Sequence, residues 1–177
     1  MNNECNFQIT TIKLKQLSRN TFKSDLNEKM DGNGKFLYKI YLNDELCRMT
    51  GFRRDVCLYI GKTTDLIDRT YRHFKGMCPE LKYVPNMEKG RRLYAIMSEH
   101  GLNVPTFVLE NLYQYIEIEV DDLTETNVDL DCYEAENIKS FKDRHGFLPV
   151  LNKREEKTTN VNKALTRKFF LEEVESE

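Results

Sequence analysis

The stretch "LYIGKTTDLIDRTYRH", Leu58 to His73, passes from strand-like apolar residues through a Gly-Lys-Thr turn into a charged helical segment. Gly61-Lys62-Thr63 invites comparison with a phosphate-cradling loop. Such a loop needs a glycine five residues before Gly61, and Val56 stands there instead. Without that glycine the backbone amides cannot curl around a phosphate. What remains is a strand ending in Tyr59-Ile60-Gly61 and a helix on which Arg69 and His73 sit one turn apart.

Working outward, "FLYKIYL" (36–42) and "VCLYIG" (56–61) read as strands. The segment between them, "NDELCRMTGFRR", is long for a hairpin loop and predicts an extended or decorated connection. Asp65 suits the N-cap of the following helix, with Asp68 in its first turn and Phe74 near its end. A second helix is predicted over 91–100, stopped by Gly101, and a third over 130–145, stopped by Gly146 with Pro149 beyond it. "TFVLENLYQYIEIEV" (106–120) reads as one or two strands. Residues 1–34 read as an irregular N-terminal extension closing on the turn "DGNGK". Residues 35–152 form the domain, and 153–177 a charged tail with a short helix over 161–174. The class is α+β: a small, mostly antiparallel three-stranded sheet flanked by helices.

Of the 177 residues, 32% are charged and 40% apolar, enough for one domain with a real core. Apolar runs of only a few residues predict neither a membrane span nor a secretory leader. Five cysteines, an odd number with no CxxC pair, argue against a zinc knuckle or a disulfide framework, and for a reducing, cytoplasmic setting. A net charge of −2 gives no global mark of nucleic-acid binding, yet the charge is uneven. From Phe52 to Arg92 there are ten Lys/Arg against five Asp/Glu; from Glu117 to Ile138 there are nine acids and no Lys/Arg. Each run alone reads as a solvated face. Together they allow a basic surface beside an acidic, metal-attracting one.

Helical spacing puts Leu66, Ile67, Thr70, Tyr71 and Phe74 on one stripe, with Arg69 and His73 at its edge and Asp68 and Arg72 turned away. Snorkelling at a core boundary would explain that pair without any function. On the third helix Glu134 lies among Leu130, Ile138 and Phe141, whereas Glu136 faces the wet side. A carboxylate drawn out of water costs several kcal/mol or more unless compensated, so Glu134 needs a cation, a metal or a raised pKa. A structural salt bridge, for example to Arg69, would also serve. Alternation places Phe36, Tyr38, Ile40 and Leu42 on one strand face and Leu37, Lys39 and Tyr41 on the other, and it groups Tyr59 with Cys57 and Gly61. Tyrosines so placed are ordinarily core residues with satisfied hydroxyls.

Taken together, these residues resemble the GIY-YIG nuclease superfamily. "FLYKI" stands where the first motif belongs, and "YIGKT" (59–63) carries the second unaltered. Arg69 follows Tyr59 by ten residues and His73 by four more; "YEAENIKSF" supplies Glu134 with Ile138, and "PVLN" supplies Asn152. The resemblance spans about 36–152. It departs from the family at Phe36 and Leu37, which replace the glycine and isoleucine of the first motif. The two tyrosines also stand further apart than usual, which implies an insertion near "RMTGFRRD". Tyr41 would shorten that gap as "KIY", but it shares a face with Lys39, and Tyr38 is the better match.

The resemblance implies a divalent-metal-dependent DNA endonuclease of the small stand-alone phage or restriction type, working inside a cell and often as an oligomer. Glu134 would anchor a single Mg²⁺ or Mn²⁺, a hard ion that keeps most of its waters. Arg69 would fork onto phosphate oxygens. Water activation would fall to Tyr59 or Tyr38, with Lys62 and His73 assisting or relaying protons. Arg53, Arg54, Lys89, Arg91, Arg92 and Asn152 are candidate DNA contacts. Two rivals stand beside this reading. One is a catalytically inactive module of the same kind that binds nucleic acid or protein. The other is an interaction protein whose acidic 117–136 segment mimics DNA.

Overall fold

A computed structural model describes residues 8–13, 31–54, 56–75, 88–99, 102–152 and 169–171. Among these, strands β1 (Gln8–Lys13), β2 (Asn33–Leu42), β3 (Cys57–Asp65) and β4 (Ile116–Asp122) form one antiparallel sheet in the order β1-β4-β2-β3. Its helices are α1 (Asp44–Thr50), α2 (Leu66–Lys75), α3 (Glu88–Glu99), α4 (Thr106–Glu110) and α5 (Leu130–His145), with a 3₁₀ turn over Leu112–Tyr115. The three antiparallel strands β4-β2-β3 flanked by helices are the expected α+β core. To them the N-terminal segment adds β1, paired with β4 from Gln8↔Asp122 to Lys13↔Glu117. The extension expected to be irregular therefore contains a strand; the β-branched run Ile9-Thr10-Thr11-Ile12 was its signal.

β2 is central, and both of its faces are covered. Phe36, Tyr38, Ile40 and Leu42 enter a core with Leu66, Leu93, Ile96 and Met97. On the opposite face Leu37 joins Cys57, Ile60 and Leu123 beneath Leu130, Tyr133, Ile138 and Phe141 of α5. Thus α2 and α3 cover one face and α5 the other. The pairing of β2 with β3 runs from Phe36↔Thr63 to Ile40↔Tyr59 and then shifts to Tyr41↔Cys57, leaving Leu58 as an extra residue. That bulge corrects the simple alternation. Tyr59 shares a face with Gly61, whereas Cys57 turns to the α5 side.

Capping chemistry sets the helix ends. Asn43 accepts from Leu46 N at 2.9 Å and starts α1 inside the predicted decorated connection; Gly51 ends it in the left-handed region at φ 72°. Asp65 accepts from Asp68 N at 2.9 Å at the start of α2. Asp129 does the same for Cys132 N at α5, and Gly146 closes that helix at φ 73°. Residues 106–115 are helical rather than extended. Pro105 opens α4, and the buried residues Val108 of that helix and Leu112 and Tyr115 of the 3₁₀ turn recur at helical spacing. Only 116–122 is a strand. Of the expected tail helix, residues 169–171 are helical, and the remainder lies outside the described residues.

β3 is the edge strand of the sheet, and residues 149–152 shield its open side. Leu151 N donates to Leu58 O at 2.9 Å. The Asn152 amide accepts from Ile60 N at 2.9 Å and donates to Ile60 O at 2.7 Å, mimicking a further strand. Asn152, expected as a DNA contact, thus has both ends of its amide engaged by the β3 backbone. Asn152→Ala should cost about 2 kcal/mol in urea denaturation, because it leaves the Ile60 amide and carbonyl without these partners.

Candidate active site

Tyr38 lies directly across from Gly61 in the β2–β3 ladder. A Cβ built on Gly61 would come within 2.7 Å of the Tyr59 hydroxyl and 2.8 Å of its Cζ. The Tyr59 ring therefore leans along its own strand over bare backbone, which brings its phenol toward Tyr38. The Tyr38 and Tyr59 ring centroids are 5.7 Å apart, and His73 from α2 packs against both at 5.7 Å and 5.2 Å. Tyr38 Oη and His73 Nε2 form a 2.8 Å hydrogen bond. All three rings are buried, Tyr38 completely. Tyr41, the alternative first tyrosine, lies on the α5 face of the sheet, where Tyr38 does not.

Burial raises the Tyr38 phenol well above its ordinary value, and neighbouring Tyr59 adds to the rise. The charge of the Arg69 guanidinium opposes it. Burial wins, so Tyr38 is a neutral phenol. Cys57, on the other face, has its thiol pushed up to about 12, by burial before all else. It is a packing residue and not a nucleophile.

A second group of residues meets at the far end of β3. Lys62 points toward α5, where its ammonium contacts Asp131 and lies 3.2 Å from Glu134 Oε2. The Glu134 side chain is 20% exposed, and the cation it meets is Lys62 rather than Arg69. A cleft of about 440 Å³ opens here, where α2 starts on one face of the sheet and α5 on the other. Lys62, Thr63, Arg69, Arg72, Leu130 and Asp131 are among its walls. Arg69 is exposed to it, and its charge acts on the buried Tyr38 phenol. Arg72 is paired with Asp68 one turn away.

The helix that carries Glu134 is tied to the sheet by a polar network at its neighbour. Tyr133 Oη donates to Asp121 Oδ2 at 3.3 Å, and Lys39 lies 3.6 Å from the same oxygen and 3.0 Å from Glu119. Asp121 is 3% exposed, and its Oδ1 has no hydrogen-bond partner among the described residues. Its burial raises the carboxyl pKa against the pull of Lys39.

Tyr38, Tyr59 and His73 thus gather in one buried group, Arg69 lies on the cleft wall, and Lys62 meets Glu134. The residues expected to touch DNA are placed as follows. Arg54 is exposed. Arg53 instead reaches His145, with Nη2 3.4 Å from Nδ1, and Arg92 turns inward with Nε and Nη2 shielded from water. The side chains of Lys89 and Arg91 lie outside the described residues. Asn152 is spent on Ile60. The cations that line the cleft are Lys62, Arg69 and Arg72. Asp131 was missed, although its place three residues before Glu134 puts both acids on one helix face. Among the described residues no three His, Cys, Asp or Glu side chains converge as a metal-binding group. No helix among them is long and apolar enough to cross a membrane. No protein-family model, curated protein or solved structure matches this chain.

Two predictions follow from this packing. Gly61→Ala should destabilise the fold by about 2 kcal/mol, because its methyl group displaces the Tyr59 ring. In a Tyr59→Ala background most of that penalty should vanish, as a double-mutant cycle in urea will show. For Tyr38, the unfolded chain releases the phenol proton near pH 10 while the folded protein retains it. Its contribution to stability is therefore complete below that pH and falls as pH rises above it. Phenolate absorbance should show wild type and Tyr38→Phe titrating alike until alkaline unfolding begins, after which wild type gains the larger signal.

Proposed function

We propose that this protein is a divalent-metal-dependent endonuclease that hydrolyses phosphodiester bonds in DNA, of the kind its motifs resemble. The observation that carries the reading is the Tyr38–His73 hydrogen bond, packed against the tilted Tyr59 ring, with Arg69, whose charge acts on Tyr38, on the wall of the cleft that Lys62 and Asp131 also line. A phosphodiester hydrolase needs a route for the proton of the attacking water and positive charge around the phosphorane. This constellation provides both. Arg69 forks onto non-bridging phosphate oxygens from the cleft wall. The attacking water gives its proton to Tyr59 as Tyr59 passes its own to Tyr38, and Tyr38 in turn protonates Nε2 of His73. Both phenols stay neutral at the end of the relay, in keeping with the burial of Tyr38. His73 is the terminal base, a role suited to an imidazole near neutral pH.

The residues fit a hard cation, since Lys62 already lodges a positive charge against the carboxylates of Asp131 and Glu134. Mg²⁺ is ordinarily content with one or two carboxylates and its own waters. Glu134 would hold it, and when bound it would supply charge neutralisation at the phosphate and at the leaving oxygen. The same ion pair favours the second reading, a module of this kind that binds nucleic acid without cutting it, because Glu134 is already neutralised.

Nicking of supercoiled plasmid with and without Mg²⁺ separates the two. Glu134→Ala should abolish cleavage with an unchanged circular dichroism spectrum. Arg69→Ala should cost about 3 kcal/mol of transition-state stabilisation, by analogy with the loss of one oxyanion donor. Tyr38→Phe, which keeps the ring and breaks the relay, should lower the single-turnover rate without weakening DNA binding. Retention of metal-dependent cleavage by Glu134→Ala would reject the anchor, and plasmid binding without nicking by wild type would favour the inactive module.

A further inference from the structure

Two carboxylates one turn apart are common on solvated helices and mean little by themselves. At α5 the Asp131 side chain is 80% exposed and that of Glu134 20%, and both meet one cation. Lys62 arrives from the facing strand β3 and sets a single ammonium against Asp131 and 3.2 Å from Glu134. A cation already sits between these two acids, and the chain itself supplies it. The Lys62 side chain is 32% exposed, so the ammonium is held there chiefly by charge. Lys62 also lines the cleft with Arg69 and Arg72, and Arg72 is neutralised by Asp68.

We propose that Lys62 is a resident counter-cation at the metal position, and that a divalent ion must displace it from Asp131 and Glu134. The inference rests on the nuclease reading of Glu134 and adds the regulation of that site. While Lys62 is paired with α5, its charge is withheld from a phosphate in the cleft. An ion that takes over both carboxylates neutralises two negative charges where the ammonium neutralised one, and it frees the Lys62 charge for a phosphate in the cleft that this side chain already lines. Metal binding and phosphate binding then favour each other through one shared side chain, as linkage requires. Asp131 becomes a second carboxylate at this position. The apparent affinity for the ion is lowered by the fraction of molecules in which Lys62 fills its place.

The test is a titration of Mn²⁺ at one fixed ionic strength into wild type, Lys62→Met, Lys62→Arg, Asp131→Asn and Glu134→Gln. Bound ion is read from the loss of the paramagnetic-resonance signal of free Mn²⁺. Lys62→Met should bind about tenfold more tightly than wild type, because the competitor is gone. Lys62→Arg, which keeps the charge, should bind no more tightly than wild type. Asp131→Asn and Glu134→Gln should each bind more weakly. Saturable binding by wild type with equal or weaker binding by Lys62→Met overturns the displacement and leaves the nuclease reading standing. Absence of saturable binding in every variant overturns the metal anchor, and the displacement with it. Lys62→Gln replaces the methionine variant if the latter loses the wild-type dichroism spectrum.

Discussion

The phenol of Tyr59 lies over Gly61 at a separation that leaves no room for a Cβ, and the placement of the buried rings follows from that close approach. A side chain at position 61 would push the Tyr59 ring away from Tyr38, its neighbour across the ladder. The bulge at Leu58 is the other half of the constraint. By inserting one residue it turns Tyr59 to the face occupied by Tyr38 and α2 while leaving Cys57 beneath α5. Backbone register, more than any strong pairwise attraction, brings two phenols and an imidazole into contact.

The sheet also divides the chemistry. Its α2 face carries the buried rings of Tyr38, Tyr59 and His73, with Tyr38 held as a neutral phenol. Its α5 face carries charged pairs: Lys62 with Asp131 and Glu134, and Lys39 with Glu119 and Asp121. The two environments meet only at the end of β3, where Arg69 comes from one side and Lys62 from the other. Separation serves both. A buried carboxylate beside Tyr38 would push its pKa further up, and a buried phenol beside Glu134 would compete for its cation.

Much of the fold follows from local chemistry. The caps at Asn43, Asp65 and Asp129 and the stop at Gly146 place three helix starts and one end, because each depends on hydrogen bonds within a few residues. Errors fell where two signals competed. The aromatic and β-branched content of 106–115 favoured a strand, but burial of Val108, Leu112 and Tyr115 at helical spacing prevailed. Alternation and helix periodicity placed Tyr59, Arg69, His73 and Glu134 on their faces, and only the resemblance to a nuclease family joined them into one candidate site. Asp131 was not among them, since its significance depends on a lysine that approaches from another element.

By itself the amino-acid sequence determined the identity of the chemical groups, their order, and which of them share a helix face, because these depend on periods of two and 3.6 residues. Only the tertiary structure decided which groups meet. The Leu58 bulge, the pairing of β1 with β4, the capture of the β3 edge by Asn152 and the choice of Lys62 over Arg69 as partner of Glu134 all join residues distant in the chain. Contacts of that kind are set by packing and register across elements, which no local window of residues contains.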